Sequence, residues 1–326
     1  MITFGIEEEV FVVEPEKPSL QSLYYLARLF WKNPSHYYKG SSSNFARGRD
    51  IRKGLMSGVE ITTGIHDNTI SLMDDFKERR KELSEVCEGL IVPMGHLITH
   101  NTPTNICAFQ VHIGGTTNKK TYNNLAYFLP LLFLLTASSP LVEGKRYGHS
   151  YRLAKGYAIG TPEKEPTYRF QDIIFSKRLG TIEVKIFDPW WDLARIRIIV
   201  EALEKIIKIE EEMPFDIKEY KSLREEVAQK GYTENLKKLH ERLSKHYPIS
   251  SSYFKKTPAD EVAELYEKEG LLATYSALDN AYRGGEFKPK KIKKIKKNIG
   301  KISAGIFGYY IPRLPYRAWK YWRDWH

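Results

Sequence analysis

Four short β-like runs, separated by helices, each turn an acidic or imidazole group to one side while apolar residues fill the other. That repeated pattern points to a fold built round a sheet with one chemically loaded face. The runs are Ile2 to Val13, Gly58 to Thr63, Ile106 to Ile113 and Thr181 to Phe187. In the first, Glu7 and Glu9 face away from Ile6, Val10 and Val12; in the second, Glu60 and Thr62 alternate with Val59 and Ile61. In the third, Ala108, Gln110, His112 and Gly114 oppose Cys107, Phe109, Val111 and Ile113. In the last, Glu183 and Lys185 oppose Ile182, Val184 and Ile186.

Neighbouring carboxylates repel one another, and away from water they need a counter-charge. Glu7 and Glu9 alone read either as a wet acidic edge or as half of a divalent cation site. His112 alone reads either as a structural imidazole or as a metal or phosphate contact. Taken together, the four runs describe hard oxygen donors suited to Mg²⁺ or Mn²⁺ rather than zinc. Such ions commonly bridge the oxygens of ATP and neutralise charge on a transferring phosphoryl group. No Gly-x-x-x-x-Gly-Lys-Ser/Thr sequence is present, so a P-loop is not the vehicle.

Between the runs, apolar spacing predicts helices over Thr69 to Glu88, Thr121 to Thr136 and Leu193 to Glu212. The apolar stretch Leu125 to Ala137 contains Pro130 and falls short of the roughly 18 residues of a membrane span, so it reads as a buried helix. Composition shifts near Glu210 to Pro214, which divides the chain into a catalytic core over 1–213 and a helical, basic region over 214–326 packed on it. Helices are expected there at Thr233 to His246 and at Pro258 to Glu269, the second capped by Thr257 and Asp260 and closed by Gly270. Lys288 to Lys301 reads as an amphipathic basic helix, followed by an aromatic and Arg-rich tail from Tyr309 to His326.

A chain of 326 residues with 42% hydrophobic content is globular. Cys87 and Cys107 are its only cysteines, too few for a disulfide framework or a Cys-rich zinc cage, which favours a reducing cytoplasm. The N-terminal segment turns acidic at Glu7, where a secretory signal would be basic and then apolar, so no export is expected. Abundant Lys and Glu with little Gln is a balance met in heat-adapted proteins. The formal charge of +11 suits either an anionic macromolecular partner or electrostatic collection of ATP and carboxylates.

Five ordered blocks carry a more specific signal. They are Gly5 to Glu9, Val59 to Gly64, Cys107 to Gly115, Thr136 to Pro140 continuing through Gly144 to Arg152, and Gly180 to Lys185. In order and spacing they resemble the type 2 glutamate-cysteine ligase and carboxylate-amine ligase family, with its glutamine synthetase-like fold. The resemblance implies an α+β protein whose curved antiparallel sheet holds ATP and Mg²⁺ (or Mn²⁺) on an acidic face, flanked by helices. It implies phosphorylation of glutamate or a similar carboxylate, followed by displacement of phosphate by an amine, cysteine in the named ligases. By the same carry-over Glu7, Glu9, Glu60 and Glu183 are metal ligands, His112, Gln110 and Ser138 lie at the nucleotide, and Lys185, Arg152 and Arg178 serve the reacting groups.

The chain also departs from the family pattern. Gln110-Val111-His112 stands where the family usually has His-x-His, and Lys185 where it has Arg, a point charge without a bidentate fork. Ile173 and Ile174 follow Asp172 where an Arg is usual, with Arg178 as a substitute. Two further readings follow: a degenerate ligase that binds nucleotide without turnover, and a nucleic-acid or anionic-surface binder using the basic C-terminal segments. The ligase ranks first, nucleic acid ranks behind small-molecule substrates, and homo-oligomerisation is left open.

Overall fold

The computed structural model describes residues 1–17, 20–38, 58–101, 106–165, 167–292 and 298–325. Its order begins β1 (Thr3–Val13), α1 (Ser22–Lys32), α2 (Pro34–Tyr37), β2 (Gly58–Thr62), α3 (Thr69–Val86), β3 (Leu90–Val92), β4 (Phe109–Gly114) and α4 (Lys119–Phe133). It continues with the small hairpin β5 (Leu141–Val142) and β6 (Lys145–Arg146), α5 (Tyr151–Lys155), β7 (Ile173–Ser176), β8 (Thr181–Phe187) and α6 (Leu193–Ile206). Helices fill the remainder: α7 (Ile217–Lys230), α8 (Glu234–Ser244), α9 (Ser252–Lys255), α10 (Pro258–Tyr282), α11 (Ile299–Tyr310) and α12 (Leu314–Trp325).

The main sheet is antiparallel throughout, ordered β2-β1-β4-β8-β7, with β3 pairing the far end of β1. Alternation decides its two faces. Ile6, Val10 and Val12 of β1, Val59 and Ile61 of β2, Val111 and Ile113 of β4, and Ile182, Val184 and Ile186 of β8 enter one large core with α1, α3, α4, α6, α7 and α8. The opposite face carries Glu7 and Glu9, then becomes apolar at Phe11 and Val13, which join Val92, Trp190 and Tyr275 in a second, smaller core. The polar face is thus bounded at one end by packed aromatics.

All four anticipated strands form, β8 with the expected bounds. The buried helix at Leu125 is present as α4, whose Asn118 accepts from Thr121 N at its N-cap. The helix expected over Leu193 to Glu212 ends at Ile206. Asn124 of α4 explains the stop: its amide donates to the carbonyls of Ile209 and Glu211 and accepts from Met213 N, which holds that segment in non-helical form. Gly270 does not close a helix either. It adopts a φ of 79°, kinking α10, which then runs on to Tyr282. The Thr257–Asp260 capping box opens α10 as expected.

The anticipated basic helix over Lys288 to Lys301 is corrected in part. Residues 288–292 are not helical: Pro289 lies among them, and Ser276 Oγ of α10 bonds both the N–H and the carbonyl of Lys290. Residues 293–297 lie outside the described residues, and helix resumes at Ile299. Helices α1 and α7 are additions to the expected set, although Leu23, Leu26 and Phe30, and Tyr220, Leu223 and Val227, recur at helical steps.

Candidate metal centre on the open face of the sheet

The register brings the acidic residues of distant blocks side by side. Glu9 of β1 pairs with Glu60 of β2, Glu7 with Gln110 of β4, and His112 of β4 with Glu183 of β8. All these side chains lie on the face opposite the large core. Ligand atoms of Glu7, His112 and Glu183 come within 4.8 Å of one another. His112 Nε2 lies 3.5 Å from Glu7 Oε1 and 3.8 Å from Glu183 Oε1, ion-pair separations rather than hydrogen bonds. That nitrogen is buried and makes no hydrogen bond, while Nδ1 faces Thr181 Oγ1 at 3.5 Å. A buried imidazole nitrogen between two carboxylate oxygens is a donor set that fits a divalent cation.

Electrostatics at the cluster are shaped by its basic neighbours. Burial raises the Glu7 pKa, but His112, Lys185 and Arg178 outweigh it, so the carboxyl sits below its ordinary value and stays ionised. Arg178 is exposed in the turn between β7 and β8. Lys185 Nζ forms an ion pair with Glu183 Oε1, the oxygen that faces His112. Ile174 of β7 pairs with Glu183 and gives the site an apolar flank.

Lys185 shares the face of Glu183 by alternation, and the sheet is irregular beside it. Phe109 pairs with Phe187 and Val111 with Val184, so two residues of β8, Lys185 and Ile186, stand against Gln110 alone. Such a bulge frees carbonyls that need other donors. Arg152 supplies them: Nη1 donates to Ile186 O at 2.6 Å and Nη2 to Lys185 O at 2.7 Å. Nη1 also reaches the buried Asp188 at 3.2 Å, where burial raises the carboxyl's pKa against the opposing pull of Arg152.

The structure therefore brings Glu7, His112 and Glu183 together, with Lys185 and Gln110 adjoining them, Glu9 two residues along β1 from Glu7, and Glu60 paired with Glu9 from β2. It does not bring Arg152 or Ser138 into that group. Ser138 is fully buried, its N–H and hydroxyl both directed at Asp188. Glu9 Oε2 accepts from Ala108 N. One residue beneath the site was missed. Glu8 lies on the apolar side of β1, where Arg80 of α3 and the Tyr282 hydroxyl of α10 hold it. Its signal was available, because alternation sends the middle residue of Glu7-Glu8-Glu9 to the core side, where a carboxylate requires a buried partner.

No family model matches the chain. The fold is that of the glutamate-cysteine ligases. The chain resembles the glutamate-cysteine ligase of Francisella tularensis, solved in complex with AMP, at a TM-score of 0.59 and 10% identity, over 97% of this chain and 94% of that one. A bifunctional glutathione synthetase from Pasteurella multocida is similar at a TM-score of 0.55 and 12% identity, over 87% of this chain and 52% of that one. In sequence, the chain is 23% identical over 257 residues to a Corynebacterium jeikeium (strain K411) protein named "Putative glutamate-cysteine ligase 2". That match covers 61% of this chain and 62% of the relative's length. The resemblance read from the five sequence blocks is borne out by this relative and by the shared fold.

Proposed function

We propose that the chain is an ATP-dependent carboxylate-amine ligase of the glutamate-cysteine ligase kind, acting on small molecules in the cytoplasm. The observation that carries this reading is the meeting of Glu7, His112 and Glu183 from three strands of a ligase-like sheet. The AMP bound by the Francisella tularensis enzyme supports nucleotide binding here. In this reading the acidic face is concave, residues 1–213 form the catalytic unit, and the helical remainder packs over it.

Glu7, His112 and Glu183 would hold Mg²⁺ or Mn²⁺, with Glu9 and Glu60 placed for a second ion. The metal would supply positive charge to neutralise phosphate oxygens of ATP. Lys185 and Arg178 meet charge on the transferring phosphoryl group, and Gln110 contacts the nucleotide or substrate as a neutral amide. Arg152 acts at one remove, by holding the backbone carbonyls of Lys185 and Ile186 at the bulge. Ser138 serves the same support through Asp188. The acyl phosphate so formed is attacked by the amine, phosphate leaves, and an amide results.

One observation favours a second reading, nucleotide binding without turnover. The Lys185 ammonium occupies the Glu183 oxygen that a metal would need. The test is phosphate release from ATP and Mg²⁺ with glutamate alone and then with a panel of amines including cysteine. Release that requires both a carboxylate and an amine supports the ligase. ATP binding with no release under any pair supports the second reading.

A further inference from the structure

The last forty residues, 287–326, hold twelve Lys and Arg against the single Asp324, a balance of +11 that equals the formal charge of the whole chain. Everything before them is neutral on balance. The described part of this segment is two helices, α11 and α12, joined by a short 3₁₀ turn. One side of α11 is fixed to the fold. Gly305 lies against the α1 backbone so closely that a Cβ there would come within 2.4 Å of Tyr24 N. Trp31 Nε1 donates to Gly308 O at 3.0 Å, Asn298 N to Gln21 Oε1 at 2.7 Å, and Tyr309 is fully buried.

With that side committed, the other is set outward. Ile306 and Phe307 on α11, Ile311 in the turn, and Leu314, Trp319 and Trp322 on α12 follow one another at steps of one to five residues and are each between 42% and 61% exposed. A solvated helix face would carry charge on this line. Here the line is aliphatic and aromatic, with Arg317 beside it and the exposed Lys288 and Lys291 upstream.

We propose that α11 and α12 form a docking face for an anionic lipid surface, lying in the plane of the headgroups without crossing. Among the described residues no helix is long and apolar enough to span a membrane, which is the situation of an interfacial helix pair. Tryptophan sits well at the headgroup boundary, and each Lys or Arg near an anionic leaflet adds attraction. Charge decides between occupants. A second copy would set two +11 segments against each other. A nucleic acid would want the cations, not the apolar line, pointing outward.

The test is sedimentation of the full chain with phosphatidylcholine vesicles, with and without about 30 mol % phosphatidylserine. Phe307→Ser and Ile311→Ser are compared with the parent, with urea midpoints confirming that each folds. Expected are binding to the anionic vesicles alone, weakened by salt, at least ~10-fold loss in both variants, and a blue shift of tryptophan emission on binding. The blue shift reads insertion in the parent even if a variant fails to fold. The proposal is overturned if the parent stays in the supernatant with anionic vesicles. Equal binding by the Ser variants overturns it too, as does tighter binding to a single-stranded RNA that both variants retain. So does a dimer by light scattering that the same variants dissolve.

Discussion

Arg80 and Glu8 meet in a buried fork, Nη2 to Oε1 at 2.5 Å and Nε to Oε2 at 3.0 Å, directly behind the strand that presents Glu7 and Glu9. Arg80 also donates to the carbonyls of Trp190 and Trp191, and its guanidinium lies over the rings of Phe76 and Tyr282. The pair joins α3, β1, α10 and the 190–191 loop at one point, so the acidic strand is held from its inner side. Removing one partner leaves an uncompensated charge. Arg80→Met is expected to cost about 3–5 kcal/mol of unfolding free energy, and Glu8→Gln, which keeps some hydrogen bonding, less. Denaturant titration of both, and of the double variant Glu8→Met/Arg80→Met, checks this; the double variant should recover part of the loss.

Glu7→Gln and Glu183→Gln each remove a charged oxygen donor beside His112. Each is expected to lower ligase turnover by about 10²-fold or more with the unfolding midpoint unchanged. Mn²⁺ binding followed by electron paramagnetic resonance should weaken in step. Unchanged turnover in both variants would reject the metal assignment.

Lys185 pairs with the Glu183 oxygen that a metal at the proposed site would need. Lys185→Met should therefore tighten Mn²⁺ binding while turnover falls, since the phosphoryl group loses a cation. Lys185→Arg, with its bidentate fork, should retain most turnover. Separate titrations of metal affinity and kcat distinguish the two effects.

Asp75 of α3 gives the stability a defined acid limb. Burial raises its pKa, but His66, the N–H of Gly64 and Arg79 outweigh that, and the carboxyl lies below the ordinary value. A carboxylate depressed in the folded state stabilises above its unfolded pKa, and the stabilisation is lost as pH falls through the folded one. Asp75→Asn should thus be less stable than the parent at neutral pH, the gap closing below about pH 4. Urea midpoints at pH 7 and pH 3 read it directly.

Both thiols should be silent in the native protein. Cys87 and Cys107 are buried, and burial pushes the Cys87 thiol up to about 12 and that of Cys107 well above its usual value. Ellman's reagent should react with neither until the chain is unfolded, and then with two equivalents.

Much of the sheet could be read in advance because period-two alternation is a local property. Val59, Glu60, Ile61 and Thr62 declare their sides without reference to any other strand. The register that sets Glu9 against Glu60, and His112 against Glu183, is not local and is visible only once the strands pair. The bulge at Lys185 and Ile186 escaped for the same reason, since it is defined by a mismatch with β4. Helix ends were misjudged where a tertiary contact overrode periodicity, as Asn124 does beyond Ile206. Gly270 read as a stop because a left-handed glycine more often ends a helix than bends one. The Ile173 and Ile174 that follow Asp172 departed from a family motif with Arg there, and nothing local showed that Asp172 is the buried partner of Arg224 and of the Tyr220 hydroxyl, both supplied by α7.

The three residues gathered round His112 Nε2 come from the start, the first third and the middle of the chain. No early fragment of the polypeptide holds more than one or two of them in place, because β8 must dock on β4 before Glu183 arrives. Non-local pairings of this kind close late, after the entropy of long loops has been overcome. A divalent ion held there, as proposed, would therefore distinguish the finished molecule from everything that precedes it. It would bind the native state alone and draw the population toward that state as its concentration rises. Synthesis truncated just before Thr181 would yield a chain that already contains most of the sheet's strands and yet lacks Glu183.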